Sequence, residues 1–573
     1  MFVRVSHVKK ADGTVQGYVQ ILETYYHEGK RKHRLIASLG RVEEVRGKLD
    51  YLVKALSRYT ENPLIAPEDV KAEEALPWGH LLLARHLYDS LGLGEIVRRQ
   101  CGSGRQELDV RETAFALIAN RLTAPSSEHG LARWLESNYV CDRTGRRWLP
   151  EWRPEEEITR EQRVRVESGQ LAVWYRTLDA LLEGKKEIEK ELYLRVRDLF
   201  SLQVDMVFYD VTSVYFARRS PKGELRRHGH SRDGKPRQVQ VVLGVVMANG
   251  WPIAHHVFAG NTTDKKTFQG VVEDIEERFG LRRVLVVGDR GMVSEENLEF
   301  LEASGREVRY LLGVAGRRTE EAEAVLGRLE EGRWVSVDAG NQVQEVRWEG
   351  ARYIVVESKE RKSYEEALRR RSMERAEGRL RRLRKQVEDG RLKDPAKIGV
   401  RAGRAMQGDH ASRYYAYEVT EGGGFRYWED AEKLERERRH EGRYILKTDD
   451  ERLGAAESVE VYKQLSDVEW GYRDLKDVIE MRPVYHKTDG RVEAHLFVAT
   501  LALFLKRTLE HRLGERGIRL SPTEAFEAMR SMGVSVLEMG EKKRLLVSGG
   551  GRDARRLVRE LGIESTNPPG RME

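Results

Sequence analysis

Two aspartates in the 573-residue chain stand where a carboxylate is costly unless something holds it. Asp210 interrupts VFYDVTSVYF, a β-branched and aromatic run in which a mid-strand charge calls for a partner or a metal. Asp289 follows VLVVG, at the carboxyl end of a buried-type strand, where open α/β sheets collect their ligands. No cysteine pair and no abundance of histidine accompanies them, so convergent carboxylates suit Mg²⁺ or Mn²⁺. Two such ions can activate a nucleophile and steady the leaving oxygen in phosphodiester chemistry, and a third acid completes the arrangement. Asp467, Glu469, Asp474 and Asp477 are available, and periodicity does not choose among them.

Those four acids lie in or just after YKQLSDVEWGYRDLK, residues 462–476. If the stretch is helical, Tyr462, Glu469, Arg473 and Lys476 fall three, four or seven residues apart and line one side. Ordinary i,i+4 charge pairing on a solvated helix accounts for that pattern as well as a site does.

The acids need a scaffold. LQVDMVFYDVTSVYFA reads as a strand, and RQVQVVLGVVMANGWPIAHHVFAGN as two more joined at ANG. DKKTFQGVVEDIEERFG is an amphipathic helix ending at Gly280, LRRVLVVG a buried strand, SEENLEFLEASG a helix and VRYLLGV a strand. Strand, strand, strand, helix, strand, helix, strand is the order of an RNase H-like mixed α/β sheet. The spacing predicts the first part of this core over 201–315 and the second, with the glutamate helix, over 451–515. Between them, 316–450 reads as a mainly β insertion domain with a basic helix. In that helix Met373, Ala376, Leu380, Leu383 and Val387 form a narrow seam for a partner helix of the same chain.

Residues 1–65 alternate as a small β-rich module, and 70–200 are helical, with short corners that suit DNA binding as they suit any bundle. Residues 516–573 read as a helical region, with a capping box at Ser521 and Glu524 and a frayed tail at ESTNPPGRME.

Bulk properties exclude several classes. The longest apolar run, HLFVATLALFL, is too short to span a membrane, and MFVRVSHVKK has no secretory apolar core. Cys101 and Cys141 form no CxxC pattern, so neither a disulfide framework nor a zinc site is expected, and a reducing cytoplasm fits. The net charge of +7 is mild for this length, but its clustering is not. Arg226, Arg227, Arg232, Lys235 and Arg237 crowd one loop, and residues 361–388 hold eleven Arg/Lys against five Glu. Phosphate backbones favour such patches through counterion release. Leaving the strand of Asp210, the first patch should lie beside the site.

FYDVTSVYF, VVGDRGMVSEENL and YKQLSDVEWGYRDLK, in that order and with an insertion between the last two, resemble the three catalytic blocks of DDE transposases of bacterial insertion sequences. More closely they resemble the subgroup with the signature Y-x2-R-x3-E-x6-K. Tyr462, Glu469 and Lys476 take the Tyr, Glu and Lys positions, while Leu465 stands where the Arg is expected, and Arg473 is the candidate to replace it.

The resemblance implies that Asp210, Asp289 and Glu469 hold two Mg²⁺ ions, with Mn²⁺ able to substitute. It implies an enzyme that binds the terminal inverted repeats of an insertion sequence and nicks double-stranded DNA. The freed 3′-OH then attacks the other strand, through a hairpin end, and later target DNA. A tryptophan of the insertion would stack on a flipped base, and Trp334, Trp348 and Trp428 are the candidates, each equally at home in a core. Tyr462 and Lys476, joined by Arg473, would contact the phosphate beside the cut. A homodimer holding two DNA ends is implied, and no membrane. Two other readings stand beside it: an RNase H-like nuclease or resolvase without strand transfer, and a domesticated DNA-binding protein, against which the presence of all three acids counts.

Overall fold

The computed structural model of the protein describes residues 1–57, 59, 70–101, 109–148, 160–200, 206–281, 285–288, 294–303, 308–314, 319–539 and 542–570. At the N-terminus β1 (Phe2–Lys9), β2 (Val15–His27) and β3 (Lys30–Arg41) form an antiparallel sheet in that order. Val19, Leu22 and Val45 are buried there, and Gly17 leaves room for Val42 of the short helix that follows. The strand β4 (Val70–Pro77) then leads into the helical region, whose helices include Gly79–Ser90, Val110–Thr123, Arg160–Glu183 and Lys185–Leu199.

The core follows the expected order: β5 (Met206–Tyr215), β6 (Gln240–Ala248), β7 (Trp251–Ala259), a helix, β8 (Leu285–Gly288), a helix, and β9 (Arg309–Gly313). In space they run β9-β8-β5-β6-β7, with β5, β8 and β9 parallel and β6 and β7 antiparallel. This is the RNase H-like mixed sheet. Asn249 and Gly250 both take positive φ between β6 and β7, as the ANG turn requires, and Gly280 caps its helix in the left-handed region.

The 316–450 segment does two things. β10 (Val335–Ser336), β11 (Asn341–Trp348), β12 (Ala351–Ser358) and β15 (Arg443–Thr448) extend the same sheet past β9, which would otherwise present an open apolar edge. The hairpin β13 (Tyr415–Val419) and β14 (Phe425–Glu429) belongs instead to a separate apolar cluster. There the basic helix Lys359–Glu388 sets its seam of Ala376, Leu380 and Leu383 against Ile398, Ala402 and Met406 of the helix Pro395–Gln407. The partner helix of the seam is thus intramolecular.

The apolar helix Asp489–Glu515 is buried along most of its length. It packs on β7 and on the helices Val110–Thr123 and Arg160–Glu183, joining the core to the helical region. Among the described residues no helix is long and apolar enough to cross a membrane.

The C-terminal region departs from the helical expectation. After the capped helix Pro522–Met529, β16 (Gly533–Met539) and β17 (Lys542–Val547) form a hairpin whose β16 pairs with β4, giving the sheet β17-β16-β4. VSVLEM alternates, but it needs the distant VKAEEALP strand as its partner, and that pairing has no local signal. The tail is docked rather than frayed: Trp78 donates its indole N–H to the carbonyl of Thr566 over 2.9 Å, and Pro568 is buried.

Candidate active site

Asp210 sits half-buried in the middle of β5, opposite Val245 of β6. On its other side β8 runs parallel, with Gly288 opposite Tyr209. Asp289, the next residue, lies outside the described residues. Gly244 allows this packing, because a Cβ there would come within 2.6 Å of the buried Tyr209 hydroxyl.

The glutamate segment crosses this sheet as three pieces, not one helix. Ala455–Lys463 and Leu465–Arg473 are α-helical and meet at Gln464, and Asp474–Val478 is a π-helical turn. The break at Gln464 and the π-turn shift the helical register on either side, so Tyr462 and Lys476 leave the side that Glu469 and Arg473, four apart in one α-helix, still share. Tyr462 is half-buried and stacks on Tyr444 of β15, ring centroids 6.0 Å apart. Glu469 and Arg473 are exposed, and the Arg473 guanidinium lies 5.1 Å over the ring of Trp470, itself 54% exposed. Lys476 turns inward, its Nζ 3.0 Å from Oδ1 of Asp233, an oxygen that Arg482 also reaches. Leu465, at the signature's Arg position, is 7% exposed and belongs to the main apolar core.

Tyr472, one turn after Glu469, fastens the helix to the strand of Asp210. Its hydroxyl accepts from the Val245 amide over 3.0 Å and donates to the Asp210 carbonyl. Burial, then the nearby Asp210 and Tyr209, push the Tyr472 phenol well above its ordinary range, so it stays a donor. Downstream, Val484 bridges to the end of β5, its amide donating to the Tyr215 carbonyl over 3.1 Å. Glu469 rises from the same side of the helix as Tyr472, since residues i and i+3 are neighbours on that surface.

The structure separates the four acids left open by periodicity. Asp474 is paired with Lys506 and Asp477 with Arg482. The side chain of Asp467 lies outside the described residues, whereas among the described residues no ion pair engages Glu469.

The basic loop does lie beside this helix, and Asp233 is the reason. The loop is also held by the Arg232 amide, which donates to Ser213 of β5 over 2.9 Å, and by Asp489, which accepts from the Glu224 amide. Its cations are not alike. Arg232, Lys235 and Arg237 are exposed, while Arg227 is half-buried with its guanidinium on the Gly223 carbonyl. Arg226 must be withdrawn from the DNA-facing set: it is 3% exposed, its guanidinium donates to the Lys487 and Lys222 carbonyls, and it lies over the Phe216 ring. The residues that sequence reasoning missed are Tyr472, Asp233 and Asp489, each of which acts on a partner far away in the chain.

Of the three tryptophans, Trp334 and Trp348 pack against the cluster of Val325, Val346 and Tyr353, and Trp428 on β14 is 48% exposed. A separate group, Glu128, His486 and His495, is buried with its ligand-type atoms within 4.8 Å of one another. Arg121 donates to Nδ1 of His495 over 3.2 Å, and Nε2–H of that ring donates to the Met481 carbonyl over 3.0 Å. Both ring nitrogens are therefore engaged within the protein. By donor chemistry the carboxylates at β5 and on the glutamate helix, not this group, fit Mg²⁺.

Comparison with known proteins finds the family whose catalytic blocks the sequence resembles. The family described as the transposase DDE domain matches residues 205–505, more than half of the chain, and the N-terminal domain of IS1634 family transposases matches residues 3–69. No curated protein matches. Among solved structures, a cryo-EM structure of a piggyBac transposase synaptic complex with hairpin DNA is 10% identical, with 80% of this chain and 82% of that chain covered and a TM-score of 0.35, a likeness too slight to bear on function.

Proposed function

The chain belongs to the transposases with a DDE domain, enzymes that cleave DNA and transfer its strands, and from that premise we propose that Asp210, Asp289 and Glu469 form its cutting centre. One observation carries the reading: Tyr472 binds the Asp210 strand directly from the Glu469 helix, so two acids distant in sequence share one fixed frame. Their oxygens would hold two Mg²⁺ ions, with Mn²⁺ able to substitute; such ions supply Lewis-acid activation of the attacking oxygen and charge stabilisation of the leaving one.

The substrate would be double-stranded DNA at the terminal inverted repeats of its own insertion sequence. A water oxygen attacks the phosphorus at the end, and the displaced 3′-oxygen leaves as a hydroxyl. That 3′-OH then attacks the opposite strand, closing a hairpin, and after the hairpin is opened it attacks target DNA, each step forming one P–O bond and breaking one. Exposed Arg232, Lys235, Arg237 and Arg473 line the approach for the backbone, and Tyr462 would join them beside the cut. Lys476 would reach a phosphate by exchanging the Asp233 carboxylate for it. Trp428, the exposed one of the three, would stack on a flipped base, and two copies would hold two ends.

The test is cleavage and joining of labelled terminal-repeat DNA with Mg²⁺. Wild type should leave products with 3′ ends joined to target, and Glu469→Gln should bind the same DNA and neither cut nor join it. Hydrolysis without joining would instead mark a nuclease, and cutting by Glu469→Gln would remove that residue from the centre.

A further inference from the structure

The N-terminal sheet ends in an element that the cutting centre does not use. β1 pairs with β2 only as far as Leu22, opposite Phe2. Beyond that point β2 and β3 continue alone through five residue pairs, from Glu23 opposite Arg34 to His27 opposite Lys30. At the tip Glu28 and Gly29 take φ of 52° and 72°, the left-handed pair of a type I′ turn, whose twist matches the strands it joins. The pairing is registered right up to this turn, so the ribbon is preorganised.

Its charge is lopsided. Arg34 is matched by Glu23 at 2.5 Å, but among the described residues no ion pair engages Lys30, Arg31 or Lys32, all exposed. Cross-strand partners share a face, which places Tyr25 with Lys32 and His27 with Lys30 on one side and Tyr26 with Arg31 on the other. Tyr26 is 75% exposed. Both faces therefore carry cations beside polar-tipped aromatics, the side chains that phosphates and base edges accept.

Resting on the reading that DNA is the substrate, we propose that this ribbon, residues 23–34, enters the major groove of duplex DNA, with Lys30, Arg31 and Lys32 neutralising phosphates. At about 3.4 Å per residue its five pairs reach roughly 17 Å, enough to cross a groove about 8.5 Å deep and about 12 Å wide that admits a two-stranded ribbon. The deep, narrow major groove of duplex RNA does not admit it. Lysines along exposed strand edges oppose pairing with another strand, which disfavours a peptide as occupant.

The test compares full-length wild type with the Lys30→Ala, Arg31→Ala, Lys32→Ala triple variant, on a labelled duplex from the DNA flanking the gene. The variant should bind at least about tenfold more weakly, and its slope of log K against log salt should fall by roughly 2–3, about 0.9 for each phosphate no longer neutralised. Wild type should protect guanine N7, a major-groove atom, from methylation by dimethyl sulfate, and the variant should lose that protection. An unchanged footprint overturns the proposal, as does equal competition by duplex RNA. An unchanged affinity with increased self-association would overturn it too, identifying the cations as protection of a strand edge. The Glu469→Gln protein, run in parallel, separates the two readings, because its footprint reports the ribbon whatever becomes of cleavage.

Discussion

The hydroxyl of Tyr472 joins the carbonyl of Asp210 to the amide of Val245, one helical turn from Glu469. A positioning residue of this kind has a specific signature. Tyr472→Phe keeps the ring but leaves a buried donor and acceptor without their bridge, at a cost of about 1–3 kcal/mol. A displacement of about 1 Å between the two acids would lower cleavage by about 10²-fold. The Mn²⁺ concentration giving half-maximal cleavage should rise, with DNA affinity unchanged. Slower cleavage at unaltered metal dependence would reduce Tyr472 to a packing role.

Asp233 faces two cations, Lys476 and Arg482, with its side chain 5% exposed. Asp233→Asn removes the charge that both need, and breaking a buried pair in this way costs roughly 3–5 kcal/mol. The loop comparison sharpens the test. Arg226→Ala should lower the unfolding midpoint because it empties a buried site and removes the donor that ties the Lys222 and Lys487 carbonyls together, whereas Arg237→Ala should leave stability alone and weaken DNA binding. Equal effects on folding from the two variants would contradict the division of the loop into buried and exposed cations.

Much of this is legible in the residues alone, and the limits have physical causes. The five core strands announce themselves because strands buried on both faces read as continuous apolar runs, and QVVLGVVMA is buried throughout. Asp210 and Asp289 stand out because charge within or at the end of such runs is costly, whereas Glu469, in a charged stretch with three other acids, is singled out by the resemblance alone. Arg226 is indistinguishable from Arg237 by sequence, since burial is a tertiary property and both lie in one basic loop. Tyr472 looks like any aromatic on a charged helix, and its partner is 262 residues away. The β16 pairing with β4 likewise spans most of the chain, and the π-turn that removes Lys476 from the Glu469 face follows no local rule of spacing.

Acid should destabilise the fold before it touches the carboxylates. Burial lowers His80 to about 3 and His255 and His495 to about 4, so all three are neutral in the folded protein. Unfolded histidine titrates near about 6.5 and binds more protons, so stability is complete above that pH and is lost as pH falls toward 4. Each contributes a slope approaching roughly 1.4 kcal/mol per pH unit across that window. Urea midpoints should therefore be level above pH 7 and fall steeply by pH 5. His80→Leu should flatten the decline by about one proton, and a midpoint independent of pH across this range would sink the argument.

Leu465 bears on whether the departure from the signature can be reversed. Its side chain is enclosed by the main core, next in sequence to the break at Gln464. Leu465→Arg would bury a guanidinium in the apolar core, a cost of several kcal/mol. Leu465→Met conserves volume and should cost less than about 1.5 kcal/mol. We expect the arginine variant to lose stability without gaining cleavage, and Arg473→Ala to weaken binding of cleaved ends because that residue carries the exposed cation of this helix. A Leu465→Arg protein that was as stable as wild type and cut faster would show that the arginine position remains open in the functional fold.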